Sequence, residues 1–217
     1  MQLQIRDLVR ISLFTAAAVT AAVLFRFGSP TVPFSLLPLV AVLAGAVLGP
    51  RRGALSMLVY LLLGLIGLPV FATPPYGGLS YVVRPSFGFI PGFALGAYVT
   101  GQVLAYTDRR TIREQQREKA TRRAPGRPRR IYLLAAVAGV VAIYLVGLPY
   151  LWLVLNVYLG KTVSWLGVLK IAFFPYVLPD LVKAGVAGLL AYSLAARLPE
   201  ALRRPETQKA ARQDLNP

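Results

Sequence analysis

Residues 131–156 read IYLLAAVAGVVAIYLVGLPYLWLVLN, a stretch without one charged side chain. A helix needs roughly 20 apolar residues to cross the ~30 Å hydrocarbon layer of a bilayer, so this stretch reads as a span. Working outward from it, further apolar runs fall at 8–25, 36–49, 53–72, 86–106 and 173–197, parted by the turn signals GSPTVP, GPRRG and TPPYGG. Six runs predict an all-α membrane protein, a bundle of six transmembrane helices in which 1–217 form a single integral membrane domain. The run at 36–49 is short, and KTVSWLGVLKIA (161–172) reads as an amphipathic surface piece leading into the last span. The composition agrees, with 56% hydrophobic residues and a mean hydropathy of +0.60.

The charges then orient the bundle. Lys and Arg number 24 against 8 Asp and Glu, a net charge of +16. In a soluble chain that excess would point to nucleic acid. Here it sits between the apolar blocks, and no nucleic-acid partner is expected. Arg6 and Arg10, Arg51 and Arg52, the run at 109–130, and Arg197, Arg203 and Arg204 all fall on one side of a six-span bundle. By the positive-inside tendency that side is cytoplasmic, which puts both termini inside and the loops near 26–35, 73–85 and 157–172 outside. The basic loop 107–130 then faces anionic head groups in the cytoplasm, and 205–217 reads as a solvated, disordered tail. Two arginines break the rule. Arg26 closes its helix and reads as a side chain snorkelling to the interface, whereas Arg84 lacks that excuse. The basic, small-residue N-terminus resembles a secretion signal, but with further spans behind it the reading is a retained first helix.

Much chemistry is excluded. The chain has no cysteine and no histidine, which removes disulfides, thiol and imidazole catalysis and most transition-metal sites. LGKTV (159–163) carries the ending of a phosphate-binding loop, but that motif needs glycine five positions before Gly160, where Leu155 stands. Two-carboxylate chemistry fails too, because Asp180 is the one acid deep in an apolar block. No catalytic residue and no cofactor are expected.

Asp180 lies in LPDLVKA (178–184) with Lys183 three positions on, so the two share a helix face. A charge at mid-bilayer costs about 2.5–3.5 kcal/mol on insertion scales, and keeping two calls for mutual neutralisation or a polar cavity. Pro175 and Pro179 predict that the last span starts just before Asp180, near a cavity mouth on the outer side. An acid that accepts from N–H and an amine that donates to C=O together suit a cyclic urea or amide. An ion pair that only joins helices fits the same residues. Arg84 stands as a second cationic contact, or as an interfacial anchor. Phe34, Phe71, Tyr76 and Tyr81 stand as pocket walls, or as an aromatic belt. Gly88, Gly92 and Gly96, like Gly45 and Gly49, predict close helix packing, and Ala17, Ala18, Ala21 and Ala22 form a smooth stripe facing either this chain or a partner.

Residues 32–72, VPFSLLPLVAVLAGAVLGPRRGALSMLVYLLLGLIGLPVFA, strongly resemble the BioY family, the substrate-capturing membrane component of energy-coupling-factor biotin transporters. RPSFGFIPGF (84–93) and LPDLVKA continue the likeness, which covers most of the membrane region. The resemblance implies a six-helix bundle in a prokaryotic plasma membrane, holding biotin in an outward-facing cavity capped by the loop between the first two helices. It places Asp180 and Lys183 on the ligand, with Arg84, Phe34, Ser35 and Tyr76 nearby. It also implies that Ala17, Ala18, Ala21 and Ala22 dock a transmembrane coupling subunit seated on two ATPase subunits, which alone use ATP. Three features depart from the family pattern: Leu36, Leu37 and Pro38 after Ser35 in the capping loop, TPPYGGLSY after VFA, and the long basic segment 107–130. Two other functions stay open on the residues: capture of a different vitamin, and a structural membrane protein whose ion pair only packs.

Overall fold

A computed structural model describes residues 4–27, 35–117 and 128–197 of the chain. Those residues form seven α-helices: α1 (Ile5–Phe27), α2 (Leu37–Leu48), α3 (Pro50–Leu65), α4 (Phe89–Arg117), α5 (Arg129–Leu153), α6 (Trp165–Ala172) and α7 (Phe174–Arg197). Short 3₁₀ and π-helical turns follow at Leu79–Val83 and Val154–Tyr158. Four stretches are long and apolar enough to cross a membrane: Ile5–Arg26, Phe89–Thr107, Arg129–Tyr158 and Phe174–Ala195. Phe34 and the tail 205–217 lie outside the described residues, as do 118–127 of the basic segment, which is helical as far as Arg117.

The short α2 is the hub. At 12 residues it spans about 18 Å, yet it packs against α1, α3, α4, α5 and α7. An apolar helix with neighbours on every side needs no polar face, which explains why LPLVAVLAGAVL shows no amphipathic pattern. Its approach to α4 is set by Gly45, where a methyl group would collide with the Ala97 carbonyl. The glycine stripe of α4 does the same against α5: a methyl on Gly92 would lie 2.9 Å from the Ile143 oxygen, and one on Gly96 would lie 2.8 Å from the Gly139 oxygen. Gly49 packs closely too, since a methyl on Gly101 of α4 would lie 2.7 Å from its carbonyl carbon, but it has a second role. It adopts φ +83°, with open space where a side chain of its own would stand, and ends α2 by donating to the Gly45 carbonyl at 3.1 Å.

The alanine stripe of α1 needs a correction as well. Ala18, Ala21 and Ala22 are buried in the core beside Tyr60 and Phe71, because α1 turns this face onto α2 and α3. Ala17 alone of the four is exposed. At the other end of α1, Asp7 is buried and meets Arg52 of α3 at 3.1 Å.

α7 also begins earlier than the prolines suggested. Pro175 occupies its first turn and Pro179 lies inside the helix, which runs from Phe174. α6 and α7 are nearly one helix, broken at Phe173, and α6 starts on the Ser164 hydroxyl, which accepts from Gly167 N at 3.1 Å. The connection before it is fastened by Asn156, whose amide donates to Val163 O at 3.1 Å and accepts from Val163 N at 2.9 Å. Asp180 therefore sits in the second turn of α7, a helix packed against both α5 and α2.

Candidate functional site

The interior is not filled where α4, α5, α7 and the loop between α3 and α4 meet. A partly open cavity of about 350 Å³ lies there, at the small end of the roughly 300–1,000 Å³ typical of small-molecule sites. Asp180 and Lys183 line it from α7, Tyr144 from α5, and Thr73, Tyr81 and Ser86 from the loop.

The polar end is a linked set. Asp180 Oδ1 pairs with the Lys183 ammonium, and Asp180 Oδ2 accepts from the Tyr144 hydroxyl at 2.6 Å. Lys183 Nζ also donates to the Ser35 carbonyl at 2.8 Å, which joins α7 to the chain just before α2. A carboxylate offers about four acceptor sites and an ammonium three donors. Among the described residues, two of the former and two of the latter are taken. What remains is acceptor capacity on Asp180 and one N–H on Lys183, beside a hollow. The fit is to a neutral group carrying both N–H and C=O.

Rings make up much of the rest. Tyr144 stands edge-on to Phe89 and Phe173, at centroid distances of 6.0 and 5.3 Å. On the loop side, Tyr60 and Tyr81 of the lining belong to a continuous chain of ring contacts that runs behind it through Phe71, Phe87 and Tyr150, closest between Phe71 and Tyr81 at 4.4 Å. Thr73 and Tyr81 share a hydroxyl–hydroxyl bond of 2.8 Å. A low-dielectric surround strengthens each polar contact and makes any unmade one costly.

Of the residues singled out in the sequence, the structure brings together Asp180, Lys183 and Ser35. It does not bring Arg84 to the cavity. That residue ends the 3₁₀ turn with its N–H on Tyr81 O at 3.0 Å, and its side chain is exposed. Tyr76 is likewise not a wall: its ring lies under the Arg26 guanidinium at 4.3 Å. Phe71 is fully buried behind Tyr81 and also falls outside the lining, while Tyr81 itself is part of it. Arg26 is no free snorkelling cation, because it donates to the carbonyls of Pro69 and Phe71. Sequence reading missed Tyr144. The available signal was a hydroxyl deep within the charge-free stretch 131–156, since a buried tyrosine O–H normally finds a partner.

Known proteins share both the sequence and this arrangement of helices. The BioY family model matches residues 1–200. A probable biotin transporter BioY of Lysinibacillus sphaericus is 35% identical over 188 residues, 87% of this chain and 86% of that one. The biotin transporter BioY of Rhizobium etli is 36% identical over 196 residues, 89% of this chain and 95% of its own. Among solved structures, the S-component for biotin from an ECF-type ABC transporter superposes with a TM-score of 0.65 over 93% of this chain and 98% of that chain, at 22% identity, and so shares the fold. By the reach of the family model and the identity to these relatives, this chain belongs to the BioY family.

Proposed function

We propose that the chain captures biotin from outside the cell as the substrate-binding component of an ECF-type uptake transporter. One observation carries the reading: the Asp180–Lys183 pair lines an unfilled cavity and is not sealed among helices. The ureido N–H groups of biotin donate to Asp180, and its carbonyl accepts from the spare Lys183 N–H. The fused rings lie against Phe89, Phe93 and Ile90, and the carboxylate points toward the mouth. Six crossings are made by α1 to α5 and α7, α6 lies at the surface, and the basic termini face the cytoplasm of a prokaryotic cell. Ala17 belongs to the face of α1 that meets a transmembrane coupling subunit, and two ATPase subunits supply the energy. The chain itself performs no catalysis and holds no cofactor.

Equilibrium binding of labelled biotin to the detergent-purified chain, with Asp180→Asn alongside, tests this. Saturable binding that the variant loses is expected. Absence of binding by the unaltered chain, or its retention in the variant, would sink the assignment.

A further inference from the structure

The last turn of α1 reaches across the bundle. Arg26 Nε donates to the Phe71 carbonyl at 3.2 Å, one Nη donates to that same oxygen at 2.8 Å, and the same Nη also contacts the Pro69 carbonyl. The guanidinium carbon lies over the Tyr76 ring, 4.3 Å from its centroid. All three targets belong to one turn, 69–76, more than forty residues away in the chain. A cation that merely escapes the hydrocarbon keeps its head in water. This one spends its planar fork on backbone oxygens, a use lysine cannot copy, and sets its charge over a ring.

The turn needs holding. It contains Tyr76 at φ +67°, a left-handed conformation uncommon outside glycine. Internally it is closed by Phe71 N donating to Tyr76 O at 2.7 Å and Tyr76 N donating to Thr73 O at 2.8 Å. The loop has other anchors, Gly78 N on Gly64 O at 2.7 Å and the Tyr150 hydroxyl on Val82 O, but these lie beyond the turn. Within it, the buried Phe71 ring packs against Tyr60 and Tyr81 and sinks one end into the core, but the only hydrogen bond from the described side chains of the bundle besides those of Arg26 is Tyr60 to Val70 O at 3.3 Å. The turn also feeds the cavity directly. Ala72 and Thr73 line it, and Thr73 binds the hydroxyl of Tyr81, itself part of the lining.

We propose that Arg26 is a positioning residue for ligand retention: it clamps turn 69–76 to the end of α1 and so holds Thr73 and Tyr81 in the cavity wall. The inference rests on the biotin reading above for its ligand. It makes the end of α1 and one wall of the site a single mechanical unit.

The test uses the full chain in detergent. Labelled biotin is bound, chased with excess unlabelled biotin, and its dissociation followed for the unaltered protein, Arg26→Gln, Thr73→Val and the double variant. Arg26→Gln should speed release about tenfold, the scale of losing charge-assisted bonds. Thr73→Val should speed it roughly fivefold beside Arg26 but add almost nothing beside Gln, because the hydroxyl is then no longer held in place. Multiplicative effects, or an unchanged rate in Arg26→Gln, overturn the proposal. Should Arg26→Gln not purify monodisperse, Arg26→Lys keeps the charge over Tyr76 and loses the fork, and a wild-type rate in it overturns the proposal equally. Hydrogen exchange of the ligand-free chain separates the two readings. Faster exchange at the amides of Phe71 and Tyr76 in Arg26→Gln, with α7 unchanged, supports the clamp even if no biotin binds, and unchanged exchange there rejects it.

Discussion

Removing the Lys183 ammonium alone and removing both charges together should move stability in different ways, while both weaken binding. In Lys183→Met, Asp180 keeps one donor, the Tyr144 hydroxyl at 2.6 Å, and loses its ion-pair partner, while the side chain is only 12% exposed. Breaking a buried pair on one side typically costs about 3–5 kcal/mol, because a charge is left without compensation. The cost here belongs at the lower end of that range, given the Tyr144 bond and the cavity alongside. Asp180→Asn combined with Lys183→Met removes both charges and should recover most of the loss, since replacing a whole buried pair by neutral groups is often close to neutral. Binding follows another rule. Each hydrogen bond from the ligand to a charged partner is worth about 1.5–3 kcal/mol, so losing one weakens biotin roughly 10- to 150-fold, and the double variant should be worse than either single one. The assays are the thermal midpoint in detergent and the dissociation constant for labelled biotin, measured on the same preparations. A double variant that regains the midpoint and still binds biotin normally would refute the argument, because the pair would then be joining helices and nothing else.

Tyr144→Phe should weaken biotin about tenfold and leave the bundle assembled, since it removes one charge-assisted bond to Asp180 while keeping the ring contacts with Phe89 and Phe173; the binding titration reads this directly. Gly45→Ala should lower the thermal midpoint by overpacking α2 against the Ala97 carbonyl, at a cost of about 1–3 kcal/mol. Gly185→Ala, on α7 with open space around it, should raise the midpoint by the roughly 0.5–1 kcal/mol that alanine gains over glycine within a helix. Asn156→Leu leaves both polar groups of Val163 without their side-chain partner, so limited proteolysis should cut 157–164 faster than in the unaltered chain.

What could be read from the sequence followed the range of each force. The boundaries of α1, α3 and α5 and the amphipathic α6 follow from hydropathy, a property summed over neighbouring residues, and the structure puts each within a few positions of the expectation, apart from the end of α3. Asp180 and Lys183 were legible for the same reason, being three apart on one helix. Errors came where a residue's partner is distant. Tyr144 is 36 positions from the carboxylate it serves, and Arg26 is 43 to 45 from the carbonyls it holds. The alanines of α1 were ambiguous in principle, because a smooth face suits a neighbouring helix of the same chain as well as a partner. Gly45 and Gly49 both sit at close backbone approaches, but Gly49 also needs a positive φ, and that second demand cannot be read from the interval between them.

That difference in range bears on how the site works. The ion pair and the aromatic shell of α5 and α7 lie on long helices packed against each other, and such elements hold a constellation more precisely than loops do. The loop wall has one strained residue, and turn 69–76 is tied to the bundle by the Arg26 hydrogen bonds and by the buried Val70 and Phe71 side chains. A ligand seated between a rigid wall and a tethered one can be held tightly and still be released, because loosening the loop wall leaves the charged pair in place. Asp180 substitutions should therefore show mainly as lost affinity with both rate constants affected. Arg26 substitutions should show as faster release with little change in the rate of capture. A matched slowing of capture in Arg26→Gln would mean that the loop shapes the route in as much as the hold, and the division between a rigid wall and a releasable one would have to be abandoned.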